Sequence, residues 1–575
     1  MDQKAQGSVA FLRHVSRKVF ILGGKARVSA AVILLFASAY LIYRLYFYDD
    51  FYVPARVPGR HSSNHAPPSG WWVEFFTRLE STRVTARSIK IKDWGPAINW
   101  KPDTDAARPD LVKLRRDDEA WFRESHASFI DQLAPFASHL PYGANTTGIV
   151  TTAGVANFGQ AISLVLTTRR AGSLLPIQIF LDSSSPWVDL VCAETMPRYN
   201  ATCLSLGDAW AGIDRLVPKF VRFQWKVISI IASTFQNVLF LDADCLPVLN
   251  PDTIFDQGSE PFTSAGLITW PDFWTSTTSS LFYKVAGNLD IPPLTSRPTS
   301  ESGMLVFDKA RHADTLLLAA YYNYNGPKHY YPLLSQHAAG EGDKETFLQA
   351  ALVLEALRQQ QVYQQPTAWM KPGVGVKKGY YDVKKLPTVH GRSARGKWTG
   401  MFLLQMDPME DYRAVTAAID KATKKGPEAK LRPETRQQSG QEPPPPPPRT
   451  SHRRDGAEAI VEEDFLTNSA FLAIIGNLLP EDLASRTMFF HHSGVKPDFT
   501  RILDKKWGLV ETDEAGKYVR LWGHAGWIVD TFGRDVEKQL WEDSMGVYCQ
   551  EELAQFARLR KVCAQMRVIY EQVYG

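Results

Sequence analysis

The fold is decided by residues 237–244, which read NVLFLDAD. The run up to Leu241 is uniformly apolar, as expected of a strand that is covered on both faces of its sheet. Asp242 and Asp244 follow it directly. Alternate residues of an extended chain share a face, so both carboxylates point into one crevice. Because ligands of open α/β sheets bind beyond the carboxyl ends of the strands, this stretch predicts a binding site there.

Strand and helix patterns alternate on the N-terminal side of that stretch. A β-branched run at 148–154 precedes a helical stretch that ends near Arg170, and a second strand pattern covers 177–181. An amphipathic helix at about 217–235 then leads into the apolar run. Alternation of this kind predicts an α/β fold with a mostly parallel sheet and crossover helices.

The composition excludes several classes of protein. The chain has 575 residues, with 65 Lys and Arg against 61 Asp and Glu, so its net charge of +4 does not predict nucleic acid as a partner. Hydrophobic residues make up 44% of the chain, which is enough to bury a large core. The five cysteines include no CxxC pair, which excludes a zinc finger.

The N-terminus predicts a membrane anchor. Residues 28–48 are apolar except for Arg44, and they are long enough to span a bilayer as one helix. Several basic residues lie within 1–27, whereas Asp49 and Asp50 follow the span. The positive-inside rule therefore predicts a cytosolic tail at 1–27 and a single-pass type II protein with its bulk in the secretory lumen. The alternative is a cleaved signal peptide, but no small-x-small site follows the run.

Two polar regions divide the lumenal part. Residues 49–114 are rich in Pro, Arg and Ser, which predicts a stem whose C-terminal part packs on the domain. Residues 115–575 then form one large domain. It is interrupted at about 421–463 by a disordered insertion with a run of prolines at 443–448. The insertion is interpreted as a surface loop, and the alternative is a segment that binds a polyproline-reading partner.

An oxidising lumen permits disulfides. Cys192 and Cys203 are the more plausible pair, because a short loop closes between them. Cys549 and Cys563 are too far apart to pair along an uninterrupted helix, and Cys245 is expected to be buried. The alternative, that all of them are reduced, stays open.

The two carboxylates of the DxD motif require a counter-charge. No basic residue adjoins Asp242 or Asp244 in sequence, so they repel each other unless a cation or a basic group from elsewhere compensates. A hard divalent ion that bridges to a substrate diphosphate meets this need.

Four motifs in chain order carry a family resemblance. They are the stretch at 237–244, WPDFW at 270–274, ESG at 301–303 and GEGDKETF at 340–347. From about 148 to 504 the chain resembles the fungal Golgi mannosyltransferases, the family of the α-1,2- and α-1,3-mannosyltransferases of mannan branching. The resemblance implies a GT-A, Rossmann-like fold, GDP-mannose as the nucleotide-sugar donor and a Mn²⁺ cofactor. It also implies a glycan acceptor on glycoprotein or mannan, retention of the anomeric configuration, and a Golgi membrane location with a lumenal catalytic domain.

The resemblance assigns a metal and donor site to the strand ends. Asp242 and Asp244 would hold the metal and the nucleotide sugar, with Asp244 the more direct metal ligand. The other expected donor contacts lie after the first strand or on the helix before the DxD strand: Thr151, Thr152, Gly154, Gln224 and Lys226. Lys226 would neutralise diphosphate charge, and the alternative is a solvated lysine on a helix face.

Acidic residues of the later motifs are the catalytic candidates. Asp343 is expected to contact the donor sugar or the acceptor, followed by Glu341, with Asp272 and Glu301 in the same cleft. The structural alternative makes Asp343 an N-cap of the helix predicted from Thr346. That alternative does not explain the glycines that flank Glu341.

The string MFFHHSGVKP at 488–497 resembles the late histidine motif of glycogenin-type retaining transferases. His491 or His492 would complete the metal site, because imidazole and carboxylate ligands suit Mn²⁺. The spacing to the following glycine favours His491, but this copy is one residue shorter before its Lys-Pro, so the choice stays open. Lys496 would meet the diphosphate, and His390 is a weaker candidate.

Three functions compete. The leading hypothesis is a lumenal mannosyltransferase that acts on glycoprotein glycans or mannan. The second is a retaining transferase that uses UDP-galactose or UDP-glucose, since the strand and metal motifs serve UDP-sugars equally well. The third is a catalytically silent subunit that binds glycans or scaffolds a Golgi transferase complex.

Overall fold

The computed structural model describes residues 68–364, 379–392, 398–424, 485–504 and 509–575. The predicted anchor at 28–48 lies outside the described residues, and so does nearly all of the predicted insertion. Among the helices of the described ranges, none is both long and apolar enough to cross a membrane.

The described ranges contain a large sheet, a smaller sheet and a short hairpin. The strands are β1 Gly143–Ala153, β2 Ile177–Leu181, β3 Ala201–Ser205, β4 Phe235–Leu241, β5 Cys245–Pro247, β6 Leu267–Thr275, β7 Pro298–Asp308, β8 Tyr381–Asp382, β9 Thr388–Arg392, β10 Trp398–Met406, β11 Thr487–His492, β12 Glu511–Thr512 and β13 Tyr518–Val519.

The α-helices surround these sheets. They are α1 Ser69–Ser81, α2 Arg116–Ala137, α3 Phe158–Arg170, α4 Pro186–Leu190, α5 Leu206–Ala209, α6 Gln224–Ala232, α7 Phe262–Ala265, α8 Ser280–Val285, α9 Lys309–Tyr324, α10 Tyr331–Ser335, α11 Thr346–Gln359, α12 Pro408–Lys424, α13 Ala525–Phe532, α14 Val536–Tyr548 and α15 Ala557–Tyr574.

The large sheet has the strand order β3-β2-β1-β4-β7-β6-β8. Its first four strands are mutually parallel, β7 runs antiparallel to both β4 and β6, and β8 pairs parallel with β6. Helix α3 connects β1 to β2, and α6 lies in the connection from β3 to β4. The predicted α/β fold with a mostly parallel sheet is therefore confirmed.

Strand β4 lies where its apolar run predicted, and residues 238–241 are fully buried between two hydrophobic clusters. The helix before it is shorter than predicted: it begins at Gln224 and ends at Ala232. Pro218 and the left-handed backbone of Arg222, at φ 48°, keep the preceding residues out of the helix.

The C-terminal part of the predicted stem packs on the domain. Helix α1 buries Trp72, Phe75, Phe76 and Leu79 in the cluster that also contains β4 and α9 residues. The rings of Trp71 and Phe75 on α1 both stack on Phe136 of α2. Rings of this size contribute much of the buried apolar area, so α1 is integral to the helical layer on this face of the sheet.

The smaller sheet brings a distant segment to the end of β4. Its order is β5-β11-β10-β9, and β11 pairs antiparallel with β5, which follows the DxD motif. His491 lies opposite Cys245, and the amide of His492 donates to the carbonyl of Asp244 at 3.0 Å. The late histidine string is thereby fixed beside the carboxylates.

Two disulfides close local loops. Cys192–Cys203 confirms the predicted pair. The exclusion of Cys549–Cys563 was wrong, because those two residues are also bonded. The prediction assumed a continuous helix, but α14 ends at Tyr548 and α15 begins at Ala557, so the intervening turn folds the chain back. Cys245 is a buried free thiol, as expected.

Candidate active site

A cleft of about 760 Å³ opens at the carboxyl ends of β1, β2 and β4. Its walls include Thr152 near the end of β1, Gly154 directly after β1, Lys226 on α6 and Asp242 after β4. All of these are predicted donor contacts. The position of the cleft is the crevice expected for an open α/β sheet.

Two other predicted donor contacts do not line this cleft. Thr151 is 0% exposed, because alternate residues of β1 face opposite sides of the sheet. The Gln224 amide donates to the carbonyls of Asn323, at 2.7 Å, and Tyr324, at 3.3 Å. Gln224 therefore holds α6 against the end of α9. Lys226, two residues later on the same helix, lines the cleft.

Asp182 is a cleft residue that the sequence analysis missed. It follows β2 directly, as Asp242 follows β4, and this acidic residue at the end of a strand was the available signal. Its Oδ1 accepts a 2.7 Å hydrogen bond from Ser183, and burial raises the pKa of its carboxyl. A Cβ on Gly154 would lie 2.0 Å from that oxygen, so the glycine makes room for the carboxylate.

Lys226 connects the DxD motif to the acidic turn. Its Nζ lies 2.9 Å from Asp242 Oδ2 and 3.1 Å from Asp343 Oδ2, and it also donates to the hydroxyl and carbonyl of Ser302. The residue is 5% exposed, so the alternative of a solvated lysine is wrong. Burial opposes the charged form, but the charges of Asp242 and Asp343 raise the pKa of Lys226 above its usual range. A permanent cation therefore lies at the floor of the cleft.

The pKa values of the two DxD carboxyls are shifted in opposite directions. Burial, together with the charges of Asp244 and Asp343, raises the pKa of Asp242 to about 6 despite the ion pair with Lys226. Burial also acts on Asp244, but a hydrogen bond from His491 and the charge of Lys496 hold its pKa well below the usual range. Asp244 is thus the firmly ionised member of the pair.

The neighbouring histidines face opposite sides of β11. His491 Nε2 lies 3.5 Å from Asp244 Oδ1, and its Nδ1 lies 3.8 Å from Glu301 Oε2. His492 instead packs among the rings of Phe402, Phe490 and Trp522, where burial lowers its pKa to about 3.

The geometry therefore distinguishes the two histidines by their distance from the DxD motif. Since successive side chains of a strand alternate, only one of them can reach the DxD motif. The structure brings His491 to it and leaves His492 in the core.

Asp242, Asp244 and His491 fit a divalent metal. One ligand atom from each lies within 4.8 Å of the other two, which allows a common ion. His491 Nδ1 is buried and has no hydrogen-bond partner in the described part of the chain. Two carboxylates and one imidazole form a donor set that suits Mn²⁺.

Glu301 and Asp272, two other acidic candidates, lie at different distances from the DxD motif. Glu301 accepts hydrogen bonds from the amides of Ser302 and Gly303 through Oε1, which leaves Oε2 facing His491. Asp272 is buried in a 2.8 Å ion pair with Lys344. Glu301 thus belongs to the DxD cluster, whereas Asp272 lies beside it.

Asp343 belongs to the cluster and Glu341 lies nearer its rim. The carboxylate of Asp343 points to Lys226, and Glu345 is the residue before the first turn of α11, so the N-cap alternative is wrong. Glu341 accepts from Ser335 at 3.0 Å and lies 2.6 Å from His337 Nδ1.

The glycines beside Glu341 are needed for this turn. Gly340 has φ 77° and Gly342 has φ 157°, which disfavour residues with a side chain. A Cβ on Gly342 would lie 3.0 Å from the ring of Phe223.

His390 has no part in this cluster. Its Nε2 is 2.9 Å from the carbonyl of Trp522, and its ring stacks on Trp527 with 3.9 Å between centroids. It supports the wall of the smaller sheet. Lys496, in contrast, forms an ion pair with Asp244 and donates to the carbonyl of His492.

Comparison with known proteins identifies relatives of this chain. Residues 146–377 match a protein family described as "Mannosyltransferase putative". The predicted resemblance is confirmed. The chain is 30% identical over 345 residues to the α-1,2-mannosyltransferase MNN2 of Saccharomyces cerevisiae, which covers 54% of this chain and 53% of that protein. It is 31% identical over 349 residues to the α-1,2-mannosyltransferase MNN21 of Candida albicans, covering 53% and 49% respectively. The chain thus spans about half the length of these relatives.

Solved structures give weaker matches. The glycosyltransferase GlyE of Streptococcus pneumoniae TIGR4 aligns at 12% identity and a TM-score of 0.24, over 41% of this chain and 45% of that chain. The galactosyltransferase LgtC, in complex with donor and acceptor sugar analogues, aligns at 12% identity and a TM-score of 0.21. That alignment covers 41% of this chain and 73% of LgtC.

Proposed function

We propose that this chain is a GT-A type mannosyltransferase that uses GDP-mannose and Mn²⁺ and retains the anomeric configuration of mannose. The observation that carries the proposal is one cluster at the end of β4. It contains two DxD carboxylates, an imidazole and two lysine ammonium groups, and it borders the cleft. The similarity to α-1,2-mannosyltransferases supports mannose as the sugar and a glycan as the acceptor.

The cluster suits a diphosphate leaving group. Asp242, Asp244 and His491 would hold the metal, which would neutralise charge on the departing diphosphate. Lys226 and Lys496 add two positive charges from opposite sides of the DxD motif. Because these groups are fixed by ion pairs before substrate arrives, they stabilise developing charge without reorganisation.

The reaction exchanges one bond at the anomeric carbon. The bond to the diphosphate oxygen breaks, the acceptor hydroxyl oxygen bonds to the same carbon, and the hydroxyl proton is released. Asp343 and Glu301 lie on the inner side of the cluster, where they would face the transferred sugar. Retention follows from attack on the same face as the leaving group or from a double displacement.

Asp182 supports a guanine base in the donor. The order β2-β1-β4 places Asp182 and Asp242 on opposite sides of the end of β1, about two strand spacings or ~10 Å apart. With the diphosphate at Asp242, the base lies towards Asp182. A carboxylate accepts two hydrogen bonds from the N1–H and N2–H groups of guanine, whereas uracil offers only N3–H.

The proposal is tested by assaying the purified chain with Mn²⁺ against a panel of donors. Turnover with GDP-mannose and a mannooligosaccharide acceptor, with an α-linked product by NMR, is the expected result. Activity with UDP-galactose or UDP-glucose and none with GDP-mannose would favour the second candidate. Glycan binding without turnover of any donor would favour the silent subunit.

Two variants test the metal cluster within the same assay. Asp244→Ala is expected to lower kcat by about 10³-fold. Asp110→Ala is the matched control, because it removes an exposed carboxylate that pairs with Lys113. Unchanged turnover in Asp244→Ala would overturn the cluster assignment.

A separate substitution tests the base. Asp182→Asn replaces two acceptors with one acceptor and one donor, which matches uracil better than guanine. Calorimetry with GDP, IDP and UDP is expected to show a loss of about 10-fold or more in the preference for GDP over UDP. An unchanged GDP to IDP ratio would remove Asp182 from base recognition and leave the transferase proposal intact.

We also propose a Golgi membrane location, with the segment 28–48 as the anchor and the catalytic domain in the lumen. Two disulfides suit an oxidising compartment. Two Asn-x-Thr triplets, the acceptor sequence for N-glycosylation, begin at Asn145 and Asn200, and both asparagines are exposed. Protease protection of intact vesicles, with a Golgi marker for microscopy, tests this. Digestion of the domain without detergent would contradict it. Co-purification with other Golgi transferases would test membership of a complex.

A further inference from the structure

An exposed tryptophan lies next to the acidic turn of the site. Trp94 is 84% exposed, and it belongs to the segment 94–100, outside the family-matched region 146–377. It does not line the nucleotide cleft. An indole exposed to this extent offers a flat apolar face and one N–H donor to a ligand.

The backbone of this segment is fixed to the domain. The Gly95 amide donates to the carbonyl of Gln336 at 3.0 Å, and the Thr275 amide donates to the carbonyl of Ile98 at 2.8 Å. A Cβ on Gly95 would lie 2.7 Å from the same Gln336 oxygen, so the glycine permits this close approach. The segment therefore presents Trp94 from a preorganised backbone, which lowers the entropic cost of binding.

The segment also rests against residues that lie beside the DxD cluster. Pro96 and Ala97 line a small internal cavity together with Trp274 and Lys344. Lys344 is the lysine that pairs with Asp272 at 2.8 Å. The segment 94–100 thus packs against Lys344, the partner of the site candidate Asp272.

Trp94 is flanked by polar groups of the acidic turn. Its ring centroid is 6.2 Å from that of His337, whose Nδ1 lies 2.6 Å from Glu341 Oε2. Gln336 and His337 are consecutive residues with φ of 50° and 58°, a conformation that residues with a Cβ rarely adopt. Strained backbone of this kind is concentrated at functional sites.

We propose that Trp94, His337 and Glu341 bind a sugar unit of the acceptor glycan that is remote from the hydroxyl that reacts. This proposal rests on the proposed function. The apolar C–H face of a pyranose stacks on the indole, and its hydroxyls donate to the carboxylate or exchange hydrogen bonds with the imidazole. A single ring bordered by charged groups matches an amphipathic sugar better than an apolar protein surface.

The test is the dependence of acceptor KM on acceptor length. Trp94→Ala is assayed with α-linked mannooligosaccharides of one to four units at saturating GDP-mannose. The expected result is about a 10-fold rise in KM for the longer acceptors, with an unchanged KM for the monosaccharide, an unchanged kcat and an unchanged KM for GDP-mannose. Trp94→Phe is expected to restore most of the affinity.

Trp121→Ala is the matched control. Trp121 is 45% exposed on α2, so its removal tests loss of a surface indole in general. His337→Asn is expected to raise the KM for the longer acceptors as well, but by less than Trp94→Ala does. An equal rise in KM for every acceptor length, or no rise at all, would overturn the proposal.

A binding measurement separates this proposal from the proposed function. Saturation-transfer NMR of mannotetraose with the wild-type chain and Trp94→Ala needs no donor or turnover. Loss of transfer in the variant would support the sugar subsite even if the donor assignment failed. Equal transfer in both proteins would reject it, and a change in protein association instead would indicate a protein partner.

Discussion

Each end of β4 has a buried lysine, and the two lysines have different partners. At the carboxyl end, Lys226 contacts Asp242, Asp343 and the Ser302 hydroxyl. At the other end, and within the described ranges of the chain, Lys309 donates only to the carbonyls of residues 231 and 233 and to the Ser233 hydroxyl. Lys226 thus lies among carboxylates, whereas Lys309 donates to carbonyls at the C-terminal end of α6.

The electrostatic consequences are opposite. Burial lowers the pKa of Lys309 well below its usual range, because the part of the chain that the structure describes places no carboxylate beside its ammonium group. Burial acts on Lys226 as well, but Asp242 and Asp343 outweigh it and raise its pKa. Burial alone therefore does not decide whether a lysine stays charged in this fold. The positive charge is kept where a diphosphate is proposed to bind.

The strongest test replaces each lysine with methionine. Lys226→Met is expected to lower kcat/KM by about 10³-fold, because it removes a fixed cation beside the leaving group. Lys309→Met should keep activity within about 3-fold, since the methionine fills a similar volume away from the site. Activity is compared per amount of folded protein, measured by circular dichroism. Equal losses in both variants would show that the two ends act alike.

The neighbouring histidines sharpen the comparison within the catalytic end. His491→Ala is expected to lower Mn²⁺ affinity and activity by about 10²-fold. His492→Phe should bind Mn²⁺ normally and lose only about 1 kcal/mol of stability with its bond to the Val495 carbonyl. Calorimetric titration measures the Mn²⁺ affinity of both variants, and urea unfolding measures the stability of His492→Phe. Normal Mn²⁺ binding by His491→Ala would contradict the assignment.

The pH dependence of stability distinguishes the lysines further. The folded chain binds fewer protons at Lys309 than the unfolded chain, whose lysine has the ordinary pKa of 10.5. Stability therefore rises with pH towards that value, by at most about 1.4 kcal/mol per pH unit.

Lys226 behaves oppositely. Its raised pKa makes its contribution constant until the pH passes 10.5. Urea unfolding between about pH 7 and about pH 9.5 should thus give a smaller slope in Lys309→Met than in the wild type. Parallel slopes would mean that Lys309 stays charged.

The smallest effects are expected from the two serines that bond these lysines. Ser302→Ala removes a 2.9 Å bond to Lys226 and should lower kcat about 3-fold with little change in unfolding free energy. Ser233→Ala removes a 2.8 Å bond to Lys309 and should cost about 1 kcal/mol without changing kcat. The reverse pattern would contradict the division of the sheet into a catalytic end and a structural end.

The strands and the DxD motif could be predicted from sequence because their signals are local. The apolar run of β4 and the strand pattern of β2 each fit within a few residues, and β2 was predicted at its observed bounds of 177–181. The helical pattern before β4 did not show which side chain faces the cleft, so Gln224 and Lys226 were treated alike.

Long-range packing could not be predicted. Nothing near Cys549 signals that the chain turns back to Cys563, and nothing near Trp94 signals its place at the acidic turn. The choice between His491 and His492 required the register of β11 against β5. These features depend on contacts between distant parts of the chain.

The position of β11 in chain order has a consequence for biosynthesis. The ribosome makes the DxD strand early, whereas His491 and Lys496 come after the whole large sheet. Chains fold progressively from the N-terminus as they emerge. Asp244 therefore lacks its contacts with His491 and Lys496 until β11 pairs between β5 and β10. Under the proposed function, a chain that ends before residue 491 would lack this imidazole and this lysine and would be inactive, so enzymatic activity would report that synthesis has passed this point.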